Sequence, residues 1–246
     1  MKDFEGLTAL VTGGASGIGA DTARLLHRRG ARVAVLDRDV TAVGAEFLAL
    51  TCDVGERAAI EAAVAEVADR CGGLDIVVAN AGIGAVGDVA ANDDAEWSRV
   101  LDVNVTGIAR VVSAALPHLR RSTCAAVVTT CSAVAFVGVR HRALYSASKG
   151  AVHALTIAMA ADHADAGIRV NAVAPGTADT PWITRLLESA EDPAAAAESL
   201  RQRQPSGRLV TSDEVAEALA FLASPISGST TGTVLRVDGG MTTLRL

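Results

Sequence analysis

The chain has a single tyrosine, Tyr145, and aromatic residues fill only 3% of its 246 positions. So few rings exclude a core built on aromatic stacking. The interior must be packed mainly from Ala, Val, Leu and Ile, within an apolar share of 50%. Lysine is nearly absent as well: of 22 basic residues only Lys2 and Lys149 are not arginine. The net charge of −6 is spread along the chain. No basic block points to nucleic acid or an anionic membrane surface. Cys52, Cys71, Cys124 and Cys131 lack both CxxC spacing and neighbouring histidines. They read as free thiols, and no metal site is expected. No apolar run approaches the ~20 residues that span a bilayer. Residues 1–6 carry no signal-peptide pattern, so the expected location is the cytoplasm.

What is present is an alternation. Apolar runs at 7–12, 31–37, 47–52, 74–79, 125–131, 169–173 and 233–237 read as strands. Helical stretches separate them at 17–30, 56–71, 94–121 (one helix or two), 145–165 and 211–223, with a short helical piece before the third strand. Nearly continuous apolar strands alternating with helices predict an α/β fold. The expected form is a single-domain, doubly wound sheet with helices on both faces. No linker or repeat divides the chain. A polar, alanine-rich helical segment at 181–208 is expected to be a lid over the substrate.

The first strand ends in Thr12-Gly13-Gly14-Ala15-Ser16-Gly17-Ile18-Gly19. Glycines at 13, 17 and 19 allow a tight turn and close backbone approach. The helix starting near Gly17 would offer free N–H groups to a pyrophosphate. Asp37 closes the second strand, where a carboxylate accepts from ribose hydroxyls and repels a 2′-phosphate. This favours NAD over NADP, although Arg38 follows directly. Asp53-Val54, after the third strand, is placed for the adenine edge.

Tyr145 and Lys149 are four residues apart and so share one helix face. An unperturbed phenol titrates near ~10. A neighbouring cation favours the phenolate, so Lys149 is expected to lower that value.

Together these pieces resemble the short-chain dehydrogenase/reductase family. The resemblance rests on the glycine turn, Asn80-Ala81-Gly82, Asn104, Ser132 thirteen residues before Tyr145, Tyr145-x-x-x-Lys149, Pro175-Gly176 and the terminal Val237-Asp238-Gly239-Gly240. It implies a Rossmann-like sheet of seven parallel strands, a nicotinamide cofactor, a small-molecule substrate and commonly a homotetramer. It also implies an Asn104-Ser132-Tyr145-Lys149 tetrad, with Asn104 holding a water beside Lys149. Ser16, Ile18, Ala178 and Thr180 fall at its cofactor positions. One departure is Ala135, where members often have glycine.

The substrate is less defined. Arg142, Arg185 and Arg203 are placed to meet a carboxylate, for which arginine is suited. The lid is similar to a subgroup acting on hydroxy acids, with Arg185 one residue out of register. A sugar acid or hydroxy acid is the expected substrate. Alternatives are a neutral sugar or polyol such as L-fucose, an acyl-carrier or steroid-type ketone, and a nucleotide-sensing regulator without catalysis.

Overall fold

The computed structural model describes residues 2–188 and 190–245; residues 1, 189 and 246 lie outside it, 189 within the expected lid. Seven parallel strands form one sheet: β1 (Thr8–Thr12), β2 (Arg32–Asp37), β3 (Leu48–Thr51), β4 (Ile76–Ala79), β5 (Ala126–Thr130), β6 (Arg169–Pro175) and β9 (Val234–Val237). Their order is β3-β2-β1-β4-β5-β6-β9. Two short strands, β7 (Ala178–Asp179) and β8 (Val210–Thr211), pair separately.

Alternate strand residues face opposite sides. Leu10, Leu36 and Val77 join the core beneath α2 (Arg57–Cys71), α4 (Gly107–Leu119) and α5 (Ala143–His163). Val11, Val35 and Val78 join the core beneath α1 (Gly17–Arg28) and α8 (Ser212–Ala223). Because both faces are covered, β1, β4 and β5 are buried at every position. Each fully buried Leu or Ile side chain contributes about 1.5–3 kcal/mol.

Three local features differ from, or settle, the sequence expectations. Residues 38–47 form turns, not a helical piece. The Asp39 carboxylate accepts from the Thr41 N–H and hydroxyl at 2.9 and 2.7 Å, an alternative that competes with helix. The 94–121 region is one unbroken helical run: α3 (Asp94–Leu101), a π-helical segment (Asp102–Thr106), then α4. By length and hydropathy alone its 26 residues from Asp94–Leu119 are enough to cross a membrane. Here Ile108, Val111, Val112, Ala115 and Leu119 pack into the core. Finally, the segment expected as a lid contains two helices, α6 (Pro181–Glu188) and α7 (Pro193–Gln202). Pro193 disfavours helix at Asp192, which instead caps α7 through the Ala195 N–H at 3.0 Å.

Candidate active site

The glycine turn lies between β1 and α1, at the carboxyl end of the sheet. Gly17 opens α1 with φ +52, a left-handed conformation that L side chains rarely adopt. Gly19 lies under the turn, where a Cβ would come within 2.1 Å of the Gly13 carbonyl oxygen. The Asn80 side chain holds the turn from β4, donating to the carbonyls of Thr12 (3.1 Å) and Gly13 (3.2 Å). Its oxygen accepts from the Thr130 hydroxyl at 3.0 Å. Asn80 thus braces the turn, and the Ala81-Gly82 backbone continues the same wall.

A cleft of about 780 Å³ runs from this turn across the sheet ends. Gly13, Ser16, Gly17 and Ile18 form its floor, and Asp37, Arg38, Asp53 and Val54 one end. Asp37 accepts from the Ala15 N–H at 3.1 Å, which aims its carboxylate at the turn. The Arg38 Nε lies 3.6 Å from an Asp53 oxygen. Asn80, Ala81 and Gly82 line the middle, and Lys149 and Tyr145 the far end. The glycine cradle, the unobstructed α1 N-terminus and the acid at the β2 tip fit a dinucleotide.

A second, smaller cavity of about 130 Å³ adjoins the cleft. Ile18, Thr130, Tyr145, Thr180 and Trp182 line both, so Tyr145 stands at their junction. Pro175, Gly176 and Ala178 line the small cavity, as does Ser132. Ser132 caps a 3₁₀ turn, Ala133–Ala135, and hydrogen-bonds the Tyr145 phenol. Ala135 fits this turn without a positive φ, so the departure from glycine leaves the serine in place.

Burial dominates the electrostatics at the junction. It pushes the Tyr145 phenol up to about 12, against the Ser132 hydrogen bond, although part of the residue faces the cleft. It pushes the Lys149 ammonium down to about 8. Lys149 Nζ donates to the Thr130 carbonyl at 2.8 Å and lies 5.8 Å from the centre of the Tyr145 ring. Among the influences on the Tyr145 phenol, desolvation is the largest. Desolvation of both groups wins.

Asn104 sits in the π-helical segment and is fully buried. Its amide donates to the Ile83 carbonyl (2.9 Å) and the Ser148 hydroxyl (3.0 Å), and its oxygen accepts from the Ile83 N–H (2.8 Å). The side chain is spent on protein partners and ties Gly82-Ile83 to α5. Ser148 in turn donates to the Tyr145 carbonyl at 2.8 Å. Sequence reading passed over Ser148 and Thr130. Ser148 stood within the tyrosine–lysine segment, but Thr130 acts through its carbonyl, which no side-chain pattern marks.

Arg142 and Arg203 both line the small cavity; exposed Arg185 lines the dinucleotide cleft instead. Arg142 caps α5 and is fixed from three sides. His141 is left-handed at φ 58, the Gly87 N–H donates to the His141 carbonyl at 3.0 Å, and Arg142 Nη1 donates to the Ala85 carbonyl at 3.0 Å. Burial and the mutual charge of Arg203 make the Arg142 cation costly. Arg203, on the lid side, is disfavoured by burial too. Among the described residues neither arginine forms an ion pair. The remaining wall is mostly apolar, including Val134, Val139, Ile183 and Leu200.

This geometry is that of a dinucleotide-dependent oxidoreductase. Residues 13–242 match a family model described as enoyl-(acyl carrier protein) reductase. The chain is 41% identical over 249 residues to a cis-4-hydroxycyclohexanecarboxylate dehydrogenase of Sinomonas cyclohexanicum, covering 97% of this chain and 98% of that one. It is 37% identical over 244 residues to the L-fucose dehydrogenase of Bos taurus, covering 96% and 90%. The ligand-free aldohexose dehydrogenase of Thermoplasma acidophilum superposes with a TM-score of 0.93 at 31% identity, covering 99% of this chain and 96% of that structure. The chain belongs to the short-chain dehydrogenase/reductase family and is an enzyme acting on CH–OH donors. Such enzymes use a nicotinamide cofactor and small-molecule substrates.

Proposed function

We propose that the protein is an NAD-dependent dehydrogenase of a small hydroxy acid whose carbon body is largely hydrocarbon. The observation that carries this reading is the pair Arg142 and Arg203, two half-buried cations that have no anionic partner among the described residues, in a mostly apolar pocket beside Tyr145. Holding two like charges together there is unfavourable until an anion joins them. A carboxylate is the matching group, and each charge-assisted hydrogen bond contributes about 1.5–3 kcal/mol. The apolar walls refine the expected sugar acid toward a plainer hydroxy acid. Each ring hydroxyl left unpaired against Val134, Val139 or Leu200 costs about 1–3 kcal/mol. The likeness to a hydroxycyclohexanecarboxylate dehydrogenase supports this reading. The likenesses to L-fucose and aldohexose dehydrogenases support a neutral sugar as the second reading. An acidic acyl carrier fits poorly with a chain of net charge −6.

Asp37 supports NAD, since a carboxylate ending β2 in the cleft suits ribose hydroxyls and repels a 2′-phosphate. Arg38 is paired with Asp53 and so is less available to a 2′-phosphate. The nicotinamide ring, when bound, supplies the acceptor for the carbinol hydride. Ser132 holds the substrate oxygen. Tyr145 takes the hydroxyl proton in oxidation and returns it in reduction, a role worth roughly 10²–10⁴-fold. Lys149 supports the junction from below, and Asn104 fixes its wall. Arg142 and Arg203 orient the acid so that its hydroxyl meets Tyr145, and α6 and α7 close over it as a lid on one catalytic domain. On family grounds we also read the protein as a cytoplasmic homotetramer; a monomer mass by light scattering would reject the assembly.

The deciding experiment is an NADH-forming screen of hydroxy acids, aldonic acids, sugars and neutral alcohols, repeated with Arg142→Ala and Arg203→Ala. Losses of roughly 10–100-fold in kcat/KM confined to acids are expected. Unchanged rates on every active acid would reject the carboxylate reading.

A further inference from the structure

We infer that Trp182 selects the carbon body of the substrate. Its indole, seated on Gly84, receives the carbons between a carboxylate held by Arg142 and a hydroxyl held by Tyr145, and it favours a six-membered ring over an open chain. This deepens the hydroxy-acid reading and rests on the small cavity being the substrate site.

Trp182 is the second residue of α6 and lines both the cleft and the small cavity. Three neighbours fix where its indole lies. A Cβ at Gly84, in the loop after β4, would come within 2.5 Å of the indole Cζ2 and 3.0 Å of Cε2, so the ring rests on bare main chain there. The Arg142 guanidinium carbon is 5.9 Å from the ring centre. The main-chain clamp of His141, Gly87 and Ala85 keeps that cation in place. The Tyr145 ring centre is 6.4 Å away, its plane tilted by 36°. The indole is thus adjacent to both polar anchors at once, and carbons joining a carboxylate to a hydroxyl pass beside it.

Size and shape name the class. The small cavity holds about 130 Å³. An apolar protein cavity of roughly 150 Å³ takes up one benzene. A single six-membered ring therefore suits this space, with its polar groups reaching the walls. Tyr145 and Trp182 are the aromatic side chains lining it, while Val134, Val139, Ile183 and Leu200 are aliphatic. Tyr145 is committed to the reacting oxygen, which leaves the indole as the flat surface for the carbon body. Trp182 is 38% exposed, so it has apolar area left for a ligand to cover. A ring meets that surface without freezing torsions, whereas an open chain loses rotamer freedom on binding.

Calorimetric titration of the NAD-loaded protein with unreactive probes tests this. The probes are cyclohexanecarboxylate, heptanoate (an open chain of equal carbon number) and the neutral cyclohexanecarboxamide. Far-ultraviolet circular dichroism establishes that each variant is folded. Wild type should bind cyclohexanecarboxylate about tenfold tighter than heptanoate. Trp182→Ala should weaken both ring probes by about tenfold and heptanoate by less than about threefold. Trp182→Phe should keep most of the ring preference. Gly84→Ala, whose Cβ displaces the indole, should lose preference in the same direction as Trp182→Ala. Ring probes that fail to bind wild type or bind no better than heptanoate, or equal losses on all probes in Trp182→Ala, would overturn the inference. The carboxylate reading fails separately. Acid and amide would then bind wild type alike and Arg142→Ala would alter neither, while the ring preference and its dependence on Trp182 stood.

Discussion

The large cleft and the small cavity meet at Tyr145 but are built from different materials. The cleft is wide and shaped by main chain: the turn from Gly13 to Gly19, the backbone of Ala81-Gly82, and one acid at the tip of β2. Its parts come from the ends of successive strands, so sheet register alone sets their spacing. The pocket is about a sixth of that volume and is shaped by side chains from the 3₁₀ turn, the start of α5 and both lid helices. Its parts depend on how α6 and α7 sit against the sheet. A constant ligand can be held by a constant frame, whereas selectivity is left to segments free to vary.

The largest expected effect lies at the junction. Tyr145→Phe should lower kcat by at least about 100-fold while leaving NAD affinity, measured by calorimetry, within about twofold. An equal loss of NAD binding would mean that the two cavities cannot be separated functionally. Next comes a change confined to the cleft. Asp37→Ser should shift the NAD-to-NADP ratio of kcat/KM toward NADP by about tenfold, in line with removing one charged hydrogen-bonding group. The KM for the alcohol should stay put, and a change there would blur the boundary.

A third expectation concerns stability and its pH dependence. Burial holds Lys149 near 8 in the folded protein, against an ordinary value of 10.5. Between those values the unfolded chain binds more protons, so stability rises with pH across that window. Below it the buried charge is a constant burden. Lys149→Met should therefore raise stability by about 2 kcal/mol near neutral pH, after allowing for the lost bond to Thr130. That gain should fade toward the upper end of the window. Denaturant unfolding across pH checks this, and a destabilised variant at neutral pH would contradict it. The smallest effect belongs to the pocket side. His141→Gly relieves a left-handed backbone worth roughly 1 kcal/mol, offset in part by the greater freedom of glycine when unfolded. It should alter stability by less than about 1 kcal/mol while raising the KM for acids through a looser Arg142. An unchanged KM would show that the clamp does not depend on His141.

The cleft was legible in the sequence for the reason that it is main-chain work. Glycine spacing, the acid ending β2 and the four-residue step from Tyr145 to Lys149 are local signals. The lid was not legible to the same degree. Three arginines at suggestive spacings were grouped together, yet the break at Asp192-Pro193 splits the segment, and Arg185 faces the cleft. The proximity of Tyr145 and Lys149 is visible in a sequence, whereas their shared burial is not. Residues 38–47 looked helical only until the Asp39 turn was allowed to compete. The three bonds of the Asn104 side chain needed Ile83 and Ser148 in space, which no spacing in the chain displays.

The π-helical segment at Asp102–Thr106 has a consequence for how this chain tolerates change in length. A π turn is an α-helix carrying one surplus residue. In a plain helix each residue advances the face by about 100°. The surplus sits between Val100, which packs beside Ala85 and Leu144, and Ile108, which enters the core below the sheet. It thus works as a phase adjuster between two packing surfaces that a uniform helix would not satisfy together. The residue count of this one helix is tied to the Asn104 amide meeting Ile83.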